Sequence, residues 1–376
     1  MKVVTAIDSF KGSMTSMEAG FAAAEGIHRV DADAEVQVRP LADGGEGTVE
    51  ALVAGMNGKT EHVKVTGPLG EPVICEYGII ESTKTAVIEM AGAAGITQVP
   101  DEKRNPLYTT TYGVGEVIKD AIEKGCRRFI VGIGGSATND GGVGMLQALG
   151  YAFLDKDGKQ VLPGARGLKD ITEITAAYVI PELAECKFRV ACDVTNPLCG
   201  ELGCSSIYGP QKGATPEMIQ DMDQWLGAYA ELAKERFPKA DAKYPGTGAA
   251  GGMGFAFLTF TDAVLESGIN IVLDETKLED YIKDADLVIT GEGCMDGQTA
   301  MGKAPVGVAK LAKKYGKKVI AFAGAVQRDA RACNDAGIDA FFPILRGVVT
   351  LDEAMKNENA KQNLADTAEQ VIRLMK

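Results

Sequence analysis

Short apolar runs alternate with amphipathic stretches at the start of the chain. Residues 2–8, KVVTAID, form an apolar run typical of a buried strand, and residues 15–30 carry apolar side chains at helical spacing behind a threonine and glutamate capping pair. The apolar stretch EVQVRPLA follows, and then a glycine turn, DGGEGT, leads into a second helical pattern. This alternation predicts the beginning of a parallel sheet.

The period of the pattern changes near residue 60. Three alternating segments, EHVKVTGPLG, EPVICEYGII and TAVIEMA, predict an antiparallel meander, and YAFLDKDGKQVL at 151–162 predicts a hairpin. From residue 284 the strand and helix rhythm of the beginning returns, with a last helix from about 351. We therefore expect an α/β protein in which residues 1–58 and 280–376 form a doubly wound parallel-sheet domain. A second, mixed α/β domain, residues 59–279, is inserted into it.

Composition narrows the class of protein. The chain has 376 residues, of which 45% are hydrophobic and 24% charged, as expected of a globular protein. The net charge of -13 argues against a sequence-independent nucleic-acid binder. No leader pattern precedes the first strand, and every apolar run falls short of the ~20 residues of a membrane span, so we expect a cytoplasmic protein that binds no membrane. The eight cysteines contain no C-x-x-C pair, so reduced thiols are expected.

Five apolar strands run directly into loops of glycine, acidic and hydroxyl residues. Because ligands bind at the carboxyl ends of parallel strands, loops of this kind tend to converge on one site. The five loops are IDSFKGS (7–13), LADGGEGT (41–48), GIGGSATNDGG (132–142), CDVTNP (192–197) and GEGCMDGQTAMGKAP (291–305).

Two of these loops have the composition of phosphate-binding segments. In GIGGSATNDGG the glycines between a strand and a helix allow backbone N–H groups to approach an anion, although a simple tight turn explains the same pattern. GQTAMGKA comes close to a P-loop, but Ala304 stands where the magnesium-binding hydroxyl belongs. Lys303 in that loop can still face a phosphate.

Acidic and lysine side chains supply the candidate chemistry. Only two histidines occur, His28 and His62, and neither lies in a glycine-rich or acid-rich stretch, so carboxylates and lysines must carry the proton and charge work. Any one of the acids could simply cap a helix. As a set they indicate a magnesium–phosphate site and a phosphoryl-transfer reaction. The set comprises Asp8, Asp43, Glu46, Asp193 and Asp296, with Lys11, Lys212 and Lys303.

Seven segments in one order resemble the bacterial glycerate kinase family, the type-1 glycerate kinases. They are DSFKGS, ADGGEGT, GIGGSATNDGG, CDVTNPL, GPQKGA, GAAGGMG and GEGCMDGQTAMGKAPVGVA, spanning residues 8–309, with GIDAFFPI extending the match. The resemblance implies a flavodoxin-like domain with a mixed domain inserted into it. It also implies phosphorylation of D-glycerate by ATP with Mg²⁺, giving 2-phosphoglycerate, in a cleft between the domains.

Roles for individual residues are hypotheses built on this chemistry. Lys11 binds the glycerate carboxylate or the transferring phosphoryl group, and Asp8 orients that lysine or a substrate hydroxyl. Asp193 and Asp296 bind Mg²⁺, or act as base and magnesium ligand respectively. The remaining assignments are Ser9, Asp43, Glu46, Gln298, Thr299 and Lys303 for the substrate, and Gly134, Gly135, Ser136, Thr138, Asn139 and Lys212 for the nucleotide.

Three alternatives remain open at this point. A module that binds a nucleotide or sugar acid without turnover could use the same loops. A dehydrogenase is disfavoured because no acid ends a second parallel strand after the glycine loop. Within kinases, transfer to the 3-hydroxyl, giving 3-phosphoglycerate, needs only a small rotation of the substrate. A homodimer is left open as well.

Overall fold

The protein is described by a computed structural model that covers residues 1–45 and 47–376. The chain forms two compact units. Unit 1 comprises Met1–Asp43, Glu50–Asn57 and Ile269–Lys376, and unit 2 comprises Gly44–Val49 and Gly58–Gly268. The domain limits drawn from the sequence differ from these units at 44–49, at 58 and at 269–279, and they remain a prediction.

Strands occur in both units and are numbered in chain order. They are β1 Lys2–Ile7, β2 Glu35–Pro40, β3 Lys59–Thr66, β4 Pro72–Ile80, β5 Thr85–Glu89, β6 Arg128–Gly132, β7 Ala152–Leu154, β8 Glu173–Thr175, β9 Lys187–Ala191, β10 Ala263–Glu266, β11 Leu287–Met295, β12 Lys318–Val326 and β13 Ala340–Pro343.

The α-helices are numbered in the same way. They are α1 Ser16–His28, α2 Thr48–Gly55, α3 Ala91–Ala94, α4 Tyr112–Glu123, α5 Val143–Ala148, α6 Cys204–Tyr208, α7 Pro216–Lys234, α8 Ala249–Phe260, α9 Gly268–Glu275, α10 Leu278–Ile282, α11 Gly297–Ala300, α12 Ala304–Lys314, α13 Ala332–Asp335, α14 Leu351–Met355 and α15 Asn357–Met375. Short 3-10 helices lie at Ile96–Gln98, Asp101–Lys103, Ala165–Asp170, Pro181–Glu185, Pro210–Lys212 and Arg328–Arg331.

The sheet of unit 1 is parallel throughout and has the order β2-β1-β11-β12-β13. Counted within the unit, this is the order 2-1-3-4-5 of flavodoxin-like proteins. The prediction of a doubly wound, flavodoxin-like domain is therefore confirmed. Strand order reverses between β1 and β11, and ligands of such sheets bind at that reversal, beyond the carboxyl ends of the strands.

Local sequence explains why the first helix of unit 1 begins and packs as it does. The Thr15 Oγ1 accepts the N–H of Glu18 at 3.2 Å, while the Glu18 carboxylate accepts the N–H of Thr15 at 2.9 Å, forming the predicted capping box. At Gly26 a Cβ would stand 2.1 Å from the carbonyl oxygen of Ala365. The bare glycine thus allows α15 to lie directly against α1.

Unit 2 contains a mixed sheet of order β10-β9-β6-β5-β4-β3. Strands β3, β4 and β5 are antiparallel, which confirms the predicted meander, and β5, β6, β9 and β10 are parallel. Residues from this sheet and the helices of the unit form one large buried core. The structure therefore confirms the expected second domain of mixed α/β class, whereas the limits drawn for it remain a prediction.

The predicted hairpin at 151–162 is present as a short antiparallel turn. Leu154 and Gln160 form an antiparallel bridge, and the backbone N–H of Val161 donates to the carbonyl of Phe153 at 2.9 Å. The Gln160 side chain also accepts the N–H of Phe153 at 3.0 Å. The strand that pairs with β7 along its length is β8, which the sequence did not predict. Across the part of the chain that the structure describes, every helix is too short or too polar to cross a bilayer.

Candidate active site

The reversal point of the unit 1 sheet carries a group of buried acids. Asp8 follows β1, and its backbone N–H donates to the carbonyl of Gly291 in β11 at 2.9 Å. Its carboxylate accepts the N–H of Ser9 at 2.7 Å and lines a cavity of about 430 Å³. Asp43, which follows β2, and Glu292 of β11 line the same cavity. Three of the strand ends that the sequence singled out thus meet within one unit.

Asp8 has a strongly perturbed acidity. Only 7% of the residue is exposed, and the pKa of its carboxyl is raised from 3.8 to about 7. Burial is the largest cause and repulsion from Asp43 and Glu292 acts in the same direction, while the Ser9 N–H and the charge of Lys11 lower the pKa. A carboxyl with a pKa near 7 can exchange a proton at neutral pH, which an ordinary aspartate cannot do efficiently.

Glu292 also lines the cavity, although it was not among the candidates predicted from the sequence. It is 8% exposed and accepts the Thr299 hydroxyl at 2.5 Å. Burial raises the pKa of its carboxyl, opposed by the Thr299 hydrogen bond and by Lys303. A signal was available, since a glutamate in the apolar run DLVITGEG has to be buried with the strand around it.

The loop after β11 arranges the acid end of this cavity. Asp296 caps α11, its Oδ1 accepting the N–H groups of Gln298 at 2.9 Å and Thr299 at 3.0 Å. Lys303 lines the cavity and holds its Nζ 3.9 Å from the same oxygen. Thr299 is fully buried between Glu292 and Asp296, whereas Gln298 is exposed. The threonine therefore fixes the orientation of two carboxylates.

The opening segment places two predicted substrate residues beside Asp8. Ser9 and the exposed Lys11 both line the cavity, and Lys11 is close enough to lower the Asp8 pKa. Glu46, the remaining residue assigned to the substrate, lies outside the described residues. Every other side chain that the sequence assigned to the substrate is thus on or beside this cavity or the α11 cap.

In unit 2, the glycine loop between β6 and α5 is held from several sides. Gly135 has a φ of +71°, a conformation that favours glycine, and its carbonyl accepts the N–H of Ile96 at 2.8 Å. The N–H of Ala137 donates to the carbonyl of Ala94 at 2.9 Å. Further along, the buried Asp140 carboxylate accepts the N–H and hydroxyl of Thr111, both at 2.9 Å. The loop is therefore preorganised.

Lys212 lies inside unit 2, beneath the same loop. It is only 2% exposed, and its Nζ donates to the Ser136 hydroxyl at 2.9 Å and to the Thr138 carbonyl at 2.6 Å. Burial lowers the pKa of this ammonium to about 8. Through these two hydrogen bonds the Lys212 ammonium links Ser136 to Thr138 and stabilises the conformation of the loop.

Two polar atoms of the loop have no hydrogen-bond partner among the described residues. They are the Thr138 hydroxyl and the Asn139 carbonyl oxygen, both on fully buried residues. The Asn139 amide nitrogen donates to Ser205 at 2.8 Å, so the side chain is oriented rather than mobile. Unsatisfied buried polar atoms are costly, and they are commonly found where a ligand or water completes the bonding.

The two proposed magnesium ligands lie in different units. Asp193 of unit 2 is exposed, and its Oδ1 accepts the N–H of Gly268 at 3.2 Å; Asp296 of unit 1 is described above. Within residues 1–45 and 47–376, no three or more His, Cys, Asp or Glu side chains form a ready-made metal cluster. Mg²⁺ usually takes one or two carboxylates together with substrate phosphates, so each of these aspartates by itself has the ligand chemistry that Mg²⁺ prefers.

Comparisons with known proteins agree with this architecture. A model of the Glycerate kinase family matches residues 3–376. A glycerate kinase of Haemophilus influenzae is 50% identical over 375 residues, covering 100% of this chain and 99% of that protein. A glycerate 2-kinase of Escherichia coli is 48% identical over 372 residues, covering 98% of each chain.

A solved structure shows the same fold. The crystal structure of a protein designated glycerate kinase 2, from Salmonella typhimurium LT2, superposes with a TM-score of 0.92 at 46% identity, covering 100% of this chain and 98% of that one. A flavodoxin-like sheet with an inserted mixed α/β unit is thus an architecture that this chain shares with a protein designated as a kinase. The chain belongs to the glycerate kinase family, and the predicted family and enzyme class are confirmed.

Proposed function

We propose that the protein transfers the γ-phosphoryl group of ATP to the 2-hydroxyl of D-glycerate, giving 2-phosphoglycerate and ADP. Membership of the glycerate kinase family and the 48% identity to a glycerate 2-kinase support the reaction and the position of transfer. The observation that carries the proposal is the buried Asp8 carboxyl, whose pKa of about 7 suits proton transfer at neutral pH.

In the proposed reaction Asp8 is the general base. Its carboxylate accepts the hydroxyl proton of glycerate as the hydroxyl oxygen forms a bond to the γ-phosphorus, and the bond from that phosphorus to the bridging oxygen breaks to release ADP. Lys11 and Lys303 neutralise charge on the glycerate carboxylate and on the transferring phosphoryl group. Positioning and charge neutralisation of this kind supply most of the catalysis of phosphoryl transfer.

The glycine loop of unit 2 is the proposed phosphate-binding segment. Gly134, Gly135 and Ser136 offer backbone N–H groups without bulky side chains. The unpartnered oxygens of Thr138 and Asn139 support a ligand at this loop. Lys212 keeps the loop in shape through its bonds to Ser136 and Thr138.

Asp193 and Asp296 are the residues proposed to hold Mg²⁺. A bound Mg²⁺ would supply positive charge to offset that of the phosphates, with these two carboxylates as its protein ligands. Asp296 has one oxygen, Oδ1, committed to its helix cap, which fixes the plane of its carboxylate. Asp43 and Ser9, at the Asp8 end of the unit 1 cavity, would orient the hydroxyl groups of glycerate.

Phosphorus NMR of the products from ATP, Mg²⁺ and D-glycerate tests the reaction directly. We expect one new phosphomonoester resonance with the chemical shift and proton coupling of 2-phosphoglycerate. The 3-phosphoglycerate resonance would reject the proposed regiochemistry. A sample in which ATP is stable for hours with or without D-glycerate would reject the kinase activity and favour a binding protein.

A further inference from the structure

The cavity of unit 1 has an acidic end and an apolar end, which are lined by residues from opposite edges of the sheet. Asp8 and Asp43 follow β1 and β2, and Glu292 lies in β11; these three strands are neighbours at one edge of the sheet. On the other side the lining follows β13 or belongs to α14, and its side chains are apolar. They are Ile344, Leu345, Leu351, Ala354 and Met355.

The apolar end has walls on two sides. At Gly324 in β12 a Cβ would stand 3.5 Å from Cδ1 of Phe10, so that aromatic ring lies over the strand. At Gly12 a Cβ would stand 3.1 Å from the Met355 methyl group, which brings α14 up to the loop after β1. Leu351 remains 74% exposed at the rim. Covering such apolar surface with a ligand is favourable by about 25 cal/mol per Å².

D-Glycerate gains little from this end of the cavity. Each of its three carbons carries oxygen, so it has little apolar surface to bury, and its negative charge favours the neighbourhood of the lysines. A volume of about 430 Å³ lies within the range of roughly 300–1,000 Å³ typical of pockets for larger organic ligands. The second substrate of the proposed reaction has a planar heterocyclic base, which does need an apolar slot.

We propose that the apolar end of the unit 1 cavity binds the base of the nucleotide. The polyphosphate then extends toward Lys11 and Lys303, where the transferring phosphoryl group is expected. This assignment rests on the proposed use of ATP and adds a base site that the sequence did not indicate. The apolar side chains named for this end carry no nitrogen or oxygen. The apolar end of the cavity therefore binds the flat face of a heterocyclic base and discriminates little between different bases.

Calorimetric titration of the whole protein separates the base from the phosphates. The ligands are ADP and inorganic tripolyphosphate, each with Mg²⁺. Leu351→Asp replaces an apolar side chain at the edge of the cavity with a charge, and Ala354→Trp fills its apolar end with a large side chain. Val348→Asp is the matched control, because Val348 is fully exposed in the same segment and does not line the cavity. We expect both cavity variants to weaken ADP binding at least tenfold and to leave tripolyphosphate binding within twofold of the wild type. The control should match the wild type for both ligands.

Photolabelling with 2-azido-ADP gives an independent readout. We expect the label on peptides within 344–360 and its loss when excess ADP is present. Labelling confined to 132–142, unchanged ADP affinity in both cavity variants, or equal weakening of ADP and tripolyphosphate would each overturn the base site. Failure of the wild type to bind ADP would overturn it too.

The outcome is separable from that of the proposed reaction. If ADP binds as expected but no D-glycerate is phosphorylated, the reaction is wrong and the base site stands. If D-glycerate is phosphorylated while both cavity variants bind ADP like the wild type, the base site is wrong and the reaction stands.

Discussion

Replacing Asp8 by asparagine should abolish most of the activity and at the same time stabilise unit 1 at neutral and alkaline pH. The carboxyl keeps its proton up to about pH 7 in the folded chain, whereas an unfolded chain releases it near 3.8. Between those values the folded state holds a proton that the unfolded state has lost. The free energy of unfolding of the wild type therefore falls as pH rises through this window.

The size of the effect follows from the difference between the two pKa values. At about 1.4 kcal/mol per pKa unit, ionisation of Asp8 costs the folded state at most about 4 kcal/mol above pH 7. Asparagine does not titrate, so this cost is absent in the variant. Between pH 5 and pH 8.5 we expect the stability difference between Asp8→Asn and the wild type to grow by about 2–3 kcal/mol.

The assay is thermal unfolding of both proteins across this pH range, without nucleotide or divalent metal. A domain of 150–250 residues shifts its Tm by about 2–4 °C per kcal/mol, so the variant should gain about 4–12 °C relative to the wild type at the higher pH. Asp33→Asn, at an exposed carboxylate of the same unit, is the control and should show no such gain. Parallel stability profiles for Asp8→Asn and the wild type would refute a raised Asp8 pKa.

The same variant tests catalysis, since loss of a general base typically costs about 10²–10⁴-fold in rate. For the wild type, kcat/KM should decline as pH falls below about 7, because protonated Asp8 cannot accept the hydroxyl proton. A flat profile between pH 5 and 8 would contradict the assignment of Asp8 as base.

Three further substitutions test other parts of the site. Lys11→Met should leave folding intact and lower turnover about 10²-fold or more by removing a stabilising charge, with the exposed Lys310→Met as control; near-normal turnover would reject the role of Lys11. Lys212→Met removes both hydrogen bonds that support the glycine loop. Steady-state kinetics should then show a KM for ATP at least tenfold higher, which corresponds to a loss of about 1.4 kcal/mol of binding free energy, and an unchanged KM for glycerate. An equal rise in both KM values would contradict a role confined to the loop. Gly251→Ala places a Cβ 2.1 Å from the Thr138 carbonyl oxygen at a φ of +64°, and should destabilise unit 2 by about 3 kcal/mol or more in thermal unfolding. The control is Gly158→Ala, which also has a positive φ but lies in open space, and it should cost only about 1–2 kcal/mol. Equal losses of stability in the two variants would refute the close packing at Gly251.

Local features of the fold were predictable from the sequence because local interactions determine them. The cap formed by Thr15 and Glu18, the meander of β3 to β5 and the parallel strands at both ends of the chain all follow from residue spacing. Strand order was not predictable, since pairing of β1 with β11 depends on contacts far apart in the chain. The short strand β10 was missed, having only four residues and a half-buried pattern.

The site was predictable as a set of loops, but the role of each side chain depends on burial. Asp8 and Lys11, which follow the buried strand β1, both line the unit 1 cavity, and their roles in catalysis stay predictions. The environment of Lys212 could not be anticipated, since nothing in GPQKGA indicates that its lysine lies under a loop of distant residues. Glu292 was passed over in favour of Asp296, although burial in β11 raises the pKa of the Glu292 carboxyl.

The two ends of the chain share one sheet, and this has a consequence for biosynthesis. The backbone N–H of Lys2 donates to the Asp286 carboxylate, 284 residues later, and β1 cannot pair with β11 until that segment has left the ribosome. At about 5–20 residues per second, the amino-terminal strands wait roughly 15–60 s for their partner, while most of unit 2 emerges as one continuous stretch and can fold first. Nascent chains stalled before residue 287 should therefore show a protease-resistant unit 2 and a digestible amino-terminal segment.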